Sequence, residues 1–262
     1  MDLALSHPLA FVPTMGALHA GHQSLIELAR TKSTNVLVSI FVNPLQFENP
    51  DDLAKYPRDI EGDRRKAESA GATLIWNPTV EEIYPKDPTI IPSGELGNKF
   101  EGVHRFGHFD GVLTVVKRLF EIAQPEIAVF GEKDFQQLFL IKRMVKEFNL
   151  PINILSAPIV REPDGLAMSS RNVRLDFDAR AASRIISEAL SAAAGEKSLS
   201  KARAKLHKVL ASEERFALDY AEIIDEESFE IAEEGCTKPR ALVAGWISGV
   251  RLIDNMALAA RS

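Results

Sequence analysis

The sequence holds a single cysteine, Cys236, among 262 residues. That excludes an internal disulfide and a thiolate cluster for metal, and it fits a reducing, cytoplasmic setting. Cys236 itself reads as a small buried apolar residue. Long apolar runs are missing too: the longest, near Ala241 to Val250, falls far short of the ~18 residues a membrane span requires. Nothing before the first strand reads as a signal peptide. Basic charge is in deficit, with 31 Lys and Arg against 37 Asp and Glu and a net charge of -6. A nucleic-acid surface needs a basic stripe to meet the phosphates, so no nucleic-acid partner is expected, and an anionic substrate would need a locally positive pocket. No Gly-x-Gly-x-x-Gly follows a strand, which disfavours a dinucleotide oxidoreductase. No Gly-x-Ser-x-Gly elbow surrounds a serine, which disfavours a serine nucleophile.

What is present is the composition of an ordinary folded chain, 45% hydrophobic and 26% charged, with no low-complexity stretch and no internal repeat. Its length suits one large domain plus a smaller one. The chain is organised around Phe11 to Glu27. Leu9 to Val12 suits a buried parallel strand, Pro13 and Gly16 break it, and Leu25, Ile26, Leu28 and Ala29 recur at helical spacing. In such a strand, turn and helix unit the helix N-terminus offers unpaired N–H groups and the positive end of a dipole at the carboxyl edge of the sheet, where phosphates bind. His19 and His22 can both sit over the first turn of that helix, and Gly21 leaves bare backbone between them.

Further along, Asn35 to Val42 reads as a central strand ending at Asn43-Pro44, Asp59 to Ala70 as a charged surface helix, and Thr73 to Trp76 as a third strand. Pro78 to Pro92 holds four prolines and predicts an irregular excursion with at most one helical turn. Glu101 to Gly111 reads as a glycine-punctuated loop, followed by a helix from Val112 to Ile122, a strand at Ile127 to Phe130, a helix from Phe135 to about Phe148 and a last strand at Ile152 to Leu155. Alternation of this kind implies a parallel sheet with ligands at the carboxyl ends of its strands. The texture changes near Val160. Helices over Asp176 to Ala194 and Leu199 to Ser212 then precede three short strands, Asp219 to Ile224, Leu242 to Ser248 and Arg251 to Ile253, expected to form a small antiparallel sheet. The expected division is therefore 1–160 and 161–262.

Several residues in these loops carry chemistry. Lys133 follows a strand and opens a helix, so its ammonium can reach a phosphate, and Asp134 beside it suits a ribose hydroxyl. Met168-Ser169-Ser170-Arg171 packs two hydroxyls and a guanidinium into one turn, a set that can bind phosphate oxygens. Gln46 and Gln137 lie just past separate strand ends and can exchange hydrogen bonds with a small polar ligand, with Met15 and Phe47 as apolar walls. Asp59 and Asp63 read as a solvated helix face rather than as metal ligands.

With those residues in place, the chain resembles the pantothenate synthetases. The resemblance rests on seven motifs in order: Phe-Val-Pro-Thr-Met-Gly-Ala-Leu-His-Ala-Gly-His from Phe11, Ser-Ile-Phe-Val-Asn-Pro-Leu-Gln-Phe from Ser39, Tyr56-Pro57-Arg58, Gly107-His108-Phe109, Phe-Gly-Glu-Lys-Asp-Phe-Gln-Gln from Phe130, Arg-Glu-Pro-Asp-Gly-Leu-Ala-Met-Ser-Ser-Arg-Asn from Arg161 and Arg-Leu-Ile-Asp-Asn from Arg251. It implies an α/β fold, a Rossmann-like parallel-sheet nucleotidylyltransferase domain with a second, smaller α+β lid domain, in a cytoplasmic homodimer. It implies ATP-dependent joining of pantoate to β-alanine, with Mg²⁺ arriving on ATP and pantoyl adenylate as the bound intermediate. By the same resemblance ATP meets Met15, Gly16, Ala17, Leu18, His19, Ala20, Gly21 and His22, then Gly131, Glu132, Lys133 and Asp134, the backbone of Val160, and Met168, Ser169, Ser170 and Arg171. His22 is the implied proton donor, with His19, Lys133 and Arg171 as catalytic partners. Gln46 and Gln137 hold pantoate, beside Asn43, Phe47 and Met15. The chain departs from the family in its short leader before Leu9, in Phe106 where proline is usual, and in Ala20 where glutamate is frequent. Two rivals share parts of the pattern: an adenylyltransferase for another acid or phosphate ester, which would not need the Gln46 and Gln137 arrangement, and a non-catalytic ATP-binding regulator, which would tolerate loss of His22, Lys133 or Arg171.

Overall fold

The computed structural model describes residues 5–47 and 50–259, without the side chains of Pro50 and Asp52. Residues 1–4, part of the short leader, lie outside the described residues. The chain divides into two compact units, Met1–Pro158 and Ile159–Ser262.

The first unit runs β1 (Leu9–Thr14), α1 (Ala20–Lys32), β2 (Asn35–Ile40), α2 (Pro50–Ala54), α3 (Ile60–Ser69), β3 (Leu74–Trp76), α4 (Val80–Ile83), α5 (Glu101–His104), α6 (His108–Ala123), β4 (Ile127–Gly131), α7 (Phe135–Glu147) and β5 (Asn153–Ala157). Its five strands are parallel in the order β3-β2-β1-β4-β5. Near-continuous burial of β1 and β2 suits strands covered on both faces. On one face Ala10, Val12, Val36, Val38 and Val129 pack with Ile26 and Ala29 of α1 and with Ala67 of α3. On the other, Phe11 and Phe130 meet Phe120 of α6 edge to face at centroid separations of 6.3 and 6.4 Å.

Strand order reverses between β1 and β4, the place where an open α/β sheet parts to admit a ligand. The sequence sharpens that opening. Leu9 accepts the Glu126 N–H on the β4 side, and Thr14 accepts the Phe41 N–H on the β2 side. Successive residues alternate between the two neighbours, so Pro13 faces β4 with no N–H to give. Pairing of β1 with β4 stops after Phe11 and Ala128, whereas pairing with β2 continues to Thr14 and Ile40.

Two local expectations change. The stretch from Glu101 to Gly111 is not one loop: Glu101–His104 is a helical turn, and α6 begins at His108, after Gly107 at φ 69°. Gly111 lies inside the helix as a contact residue, because a Cβ there would stand 2.2 Å from the Leu45 carbonyl oxygen. The β2 strand ends at Ile40 rather than Val42, and Asn43 caps a tight turn over Pro44–Gln46.

The second unit opens with a hairpin in which Met168 N–H reaches the Val160 carbonyl and Glu162 N–H reaches that of Leu166, turning at Gly165 with φ 90°. Three helices follow, α8 (Phe177–Ser183), α9 (Ile185–Ala194) and α10 (Leu199–Leu210), and then an antiparallel sheet of β6 (Ala217–Asp225), β7 (Pro239–Ile247) and β8 (Val250–Ala257). The single helix expected from Asp176 is thus split at Arg184. Leu190, Leu199, Leu206, Ile223 and Val243 lie in one buried core.

Candidate active site

The turn between β1 and α1 is held in a conformation that few residues adopt, with Gly16 at φ 86° and Ala17 at φ 51°. Asp63 fixes it. Its carboxylate, 1% exposed, accepts the Ala17 N–H at 2.8 Å and the Leu18 N–H at 2.7 Å. Lys66, one helical turn further along α3, donates to the Leu18 carbonyl at 2.8 Å. A solvated helix face therefore describes Asp63 wrongly: its oxygens serve two backbone donors. Asp59 caps α3, taking the Gly62 N–H at 2.9 Å. Charge along α3 gave no hint of this, since Asp63 is embedded among Glu61, Arg64, Arg65 and Lys66.

Beyond the turn, His19 caps α1, and its Nδ1 accepts the Gly21 N–H at 3.1 Å while His22 Nδ1 accepts the His19 N–H at 3.3 Å. The rings lie 4.1 Å apart. A neutral imidazole whose Nδ1 accepts must carry its proton on Nε2, so the His22 ring presents an Nε2–H donor. Burial, then the neighbouring His19, lowers the His22 pKa to about 3, so the ring is neutral near pH 7. Lys133 and Lys66 press in the same direction and Asp134 opposes them. The turn after β4 thus lies within electrostatic reach of the turn after β1. Ala20, the first residue of α1, is exposed.

Past β4, Glu132–Asp134 forms a tight turn into α7, with the Lys133 ammonium 3.9 Å from the Asp134 carboxylate. The two glutamines that open α7 divide their work. Gln136 is buried and gives its amide to the carbonyls of Leu96 and Lys99 and takes the Glu101 N–H, whereas Gln137 is half-buried. Gln46 is buried, with its Nε2 on the Met15 sulfur. Asn43 is only 1% exposed, and both ends of its amide are engaged inside the protein. Phe47 stands edge-on to Tyr56, 5.7 Å between centroids. Tyr84 and His108 also touch this group; sequence reasoning passed over Tyr84 and named His108 only as part of the Gly107-His108-Phe109 motif, with no role of its own. The glycine before His108 in Gly-His-Phe was the one signal for that ring, and Tyr84 had none.

In the second unit, Ser169 Oγ accepts the Arg171 N–H at 3.2 Å, and Arg171 is exposed. The hairpin that carries Val160 and Met168 is tied within its own unit. Arg161 makes a two-pronged pair with the buried Asp254 of β8 at 2.6 and 3.0 Å, and Arg180 binds both Glu162 and Asp164.

The chain matches known proteins in sequence and in fold. Residues 3–257 match the pantoate-beta-alanine ligase family. The chain belongs to that family. It is 46% identical to the pantothenate synthetase of Acidothermus cellulolyticus over 97% of this chain and 86% of that one. It is 44% identical to the pantoate–beta-alanine ligase of Schizosaccharomyces pombe, covering 95% of this chain and 90% of the relative. Among solved structures, pantothenate synthetase from Thermus thermophilus superposes with a TM-score of 0.91 at 42% identity, covering 97% of this chain and 94% of that chain. Pantoate-beta-alanine ligase from Francisella tularensis, complexed with beta-gamma ATP and beta-alanine, gives 0.79 at 37% identity, with 97% and 91% covered. The activity is that of a pantoate–β-alanine ligase in pantothenate biosynthesis. Among the described residues no helix is long and apolar enough to cross a membrane.

Proposed function

We propose that the opening between β1 and β4 binds ATP as its Mg²⁺ complex together with (R)-pantoate, and then β-alanine. A pantoate carboxylate oxygen attacks the α-phosphorus, the bond from that phosphorus to the bridging oxygen breaks, and pyrophosphate leaves. The neutral amine of β-alanine next attacks the acyl carbon of pantoyl adenylate, the carbon–oxygen bond to phosphate breaks, the nitrogen loses its proton, and AMP departs with pantothenate. The observation that carries this reading is the convergence of His22, Lys133, Asp134 and Lys66 in one electrostatic neighbourhood at the point where strand order reverses. Negative charge that builds on the phosphate oxygens meets donors already in place: the N-terminus of α1, the imidazole N–H groups of His19 and His22, and the Lys133 ammonium. His22 acts there as a neutral hydrogen-bond donor.

Among the described residues no group of three or more His, Cys, Asp or Glu side chains could hold a metal ion. The ion arrives on the triphosphate in this reading, since Mg²⁺ commonly binds through phosphates, water and one or two carboxylates. When bound it would neutralise phosphate charge. Gln46 and Gln137 hold pantoate beside Met15 and Phe47. The contributions of Val160, Met168, Ser169, Ser170 and Arg171 to adenine and triphosphate binding, the lid role of the second unit, the homodimer and a cytoplasmic location belong to the same proposal and rest on the family resemblance.

Release of pyrophosphate from Mg²⁺ and ATP tests it. Pantoate should trigger release, and AMP and pantothenate should form only after β-alanine is added. Release with another acid but not with pantoate would overturn the substrate assignment, and silence with every acid would overturn the adenylating role.

A further inference from the structure

A glutamine side chain is nearly symmetric in shape, so which end meets a ligand depends on what grips the other end. At Gln46 two backbone groups decide the matter at one remove. The Leu45 N–H can only donate, and it points at Asn43 from 3.3 Å, so the atom it meets is Oδ1. The Gly111 carbonyl can only accept, and the Asn43 atom 3.1 Å from it is therefore Nδ2. The second Nδ2 hydrogen goes to Gln46 Oε1, also at 3.1 Å. Tyr84 OH donates to Asn43 Oδ1 at 2.9 Å and completes the set. His108 holds the Gln46 backbone: its Nδ1 lies 3.0 Å from the Gln46 carbonyl oxygen and, facing an acceptor, must carry the proton. Asn43, Gln46 and His108 are all buried. With its oxygen occupied, Gln46 turns its Nε2 hydrogens toward Met15, whose thioether is a weak acceptor that a ligand oxygen can replace.

We propose that Tyr84, Asn43 and His108 are positioning residues that lock Gln46 with its N–H donors facing the ligand, so that this point of the acid-binding site accepts an oxygen lone pair and rejects an ammonium. The assignment rests on the proposed role of Gln46 in holding the hydroxy acid. Tyr84 is supplied by the proline-rich excursion after β3, and the excursion thereby takes part in substrate choice.

Tyr84→Phe removes one hydrogen bond from the relay, and Asn43→Asp removes both donors to Gln46 and Gly111. The expected result for Tyr84→Phe is a KM for pantoate raised about three- to tenfold, with the KM for ATP and kcat unchanged within about twofold. Asn43→Asp should raise the pantoate KM further, and in the wild type an analogue with ammonium in place of the hydroxyl that meets Gln46 should be refused. Equal movement of the ATP and pantoate constants, or none in either, would overturn the relay. A readout independent of substrate separates this from failure of the functional reading. In the ligand-free protein the Asn43 side-chain amide protons should exchange with solvent at least about tenfold more slowly than those of the exposed Asn149, and Tyr84→Phe should speed them. Fast exchange in the wild type refutes the relay. Slow exchange accelerated by Tyr84→Phe, in a protein that ignores pantoate, supports the relay and refutes the substrate.

Discussion

At the scale of the residue, the site depends on groups that never reach the substrate. Asp63 accepts two backbone N–H bonds from a turn whose Gly16 and Ala17 sit at positive φ, and such a turn persists only while its surroundings hold it. Asp63→Asn leaves an NH₂ group facing a backbone donor. The expected loss is about 1–3 kcal/mol of stability, read by urea unfolding, together with a raised KM for ATP. Unchanged stability would mean that the turn holds itself. His22 carries a different expectation, because a neutral ring that donates from Nε2 can be imitated by an amide. His22→Gln places an N–H near that atom and should keep at least about tenfold more pyrophosphate-release activity than His22→Ala, where loss of a preorganised donor costs on the order of 10²–10³. Equal loss in both would show that the ring must itself transfer a proton. The histidine pair was legible in the sequence from its place after a strand and a glycine. Asp63 was not, since a buried carboxylate inside Ile-Glu-Gly-Asp-Arg-Arg looks like its solvated neighbours until the turn it serves is in view.

Among the elements, those whose periodicity comes from burial were readable, and those whose ends are set by contact were not. The strands β1, β2 and β4 showed as short apolar runs because both faces of the sheet are covered. The start of α6 was missed because Gly107 and Gly111 both read as breakers. Gly107 does end the preceding turn at φ 69°, while Gly111 is helical and lets α6 press against the Leu45 carbonyl. The two glycines thus call for different outcomes. Gly111→Ala would put a Cβ 2.2 Å from that oxygen and 2.8 Å from the Gln46 nitrogen, so the segment that carries Asn43 and Gln46 must shift. The variant should lose about 1–3 kcal/mol and raise the pantoate KM at least about tenfold, measured by thermal unfolding and by titration of pantoate at saturating ATP. An alanine that leaves both unchanged would mean that α6 and the Pro44–Gln46 turn are free to separate.

For the whole first unit, burial of titratable rings links stability to pH. His22 and His108 are both pushed down to about 3, in each case first by burial, and then by His19 at the one and by Arg105 at the other. The unfolded chain takes up protons on these rings near the ordinary value of 6.5, whereas the folded chain refuses them until about pH 3. Between those limits the unfolded state binds more protons, so stability is complete above pH 6.5 and falls as the pH drops toward 3. Carboxylates held low by their partners, such as Glu121 and Glu126, start from an ordinary value of 4.5 and add their loss only at lower pH. The interval from pH 7 to 5 therefore isolates the histidines. At a limit of about 1.4 kcal/mol per pH unit for each ring, the unfolding free energy of this unit should fall by about 2–4 kcal/mol across that interval. His108→Asn keeps a donor near the Nδ1 position for the Gln46 carbonyl but cannot titrate, so it should remove about half of the slope while costing less at pH 5 than at pH 7. Urea unfolding of both proteins at several pH values reads the difference. Parallel curves would mean that His108 is as easily protonated in the folded protein as in the unfolded one, and that the ring does not stand buried behind Gln46.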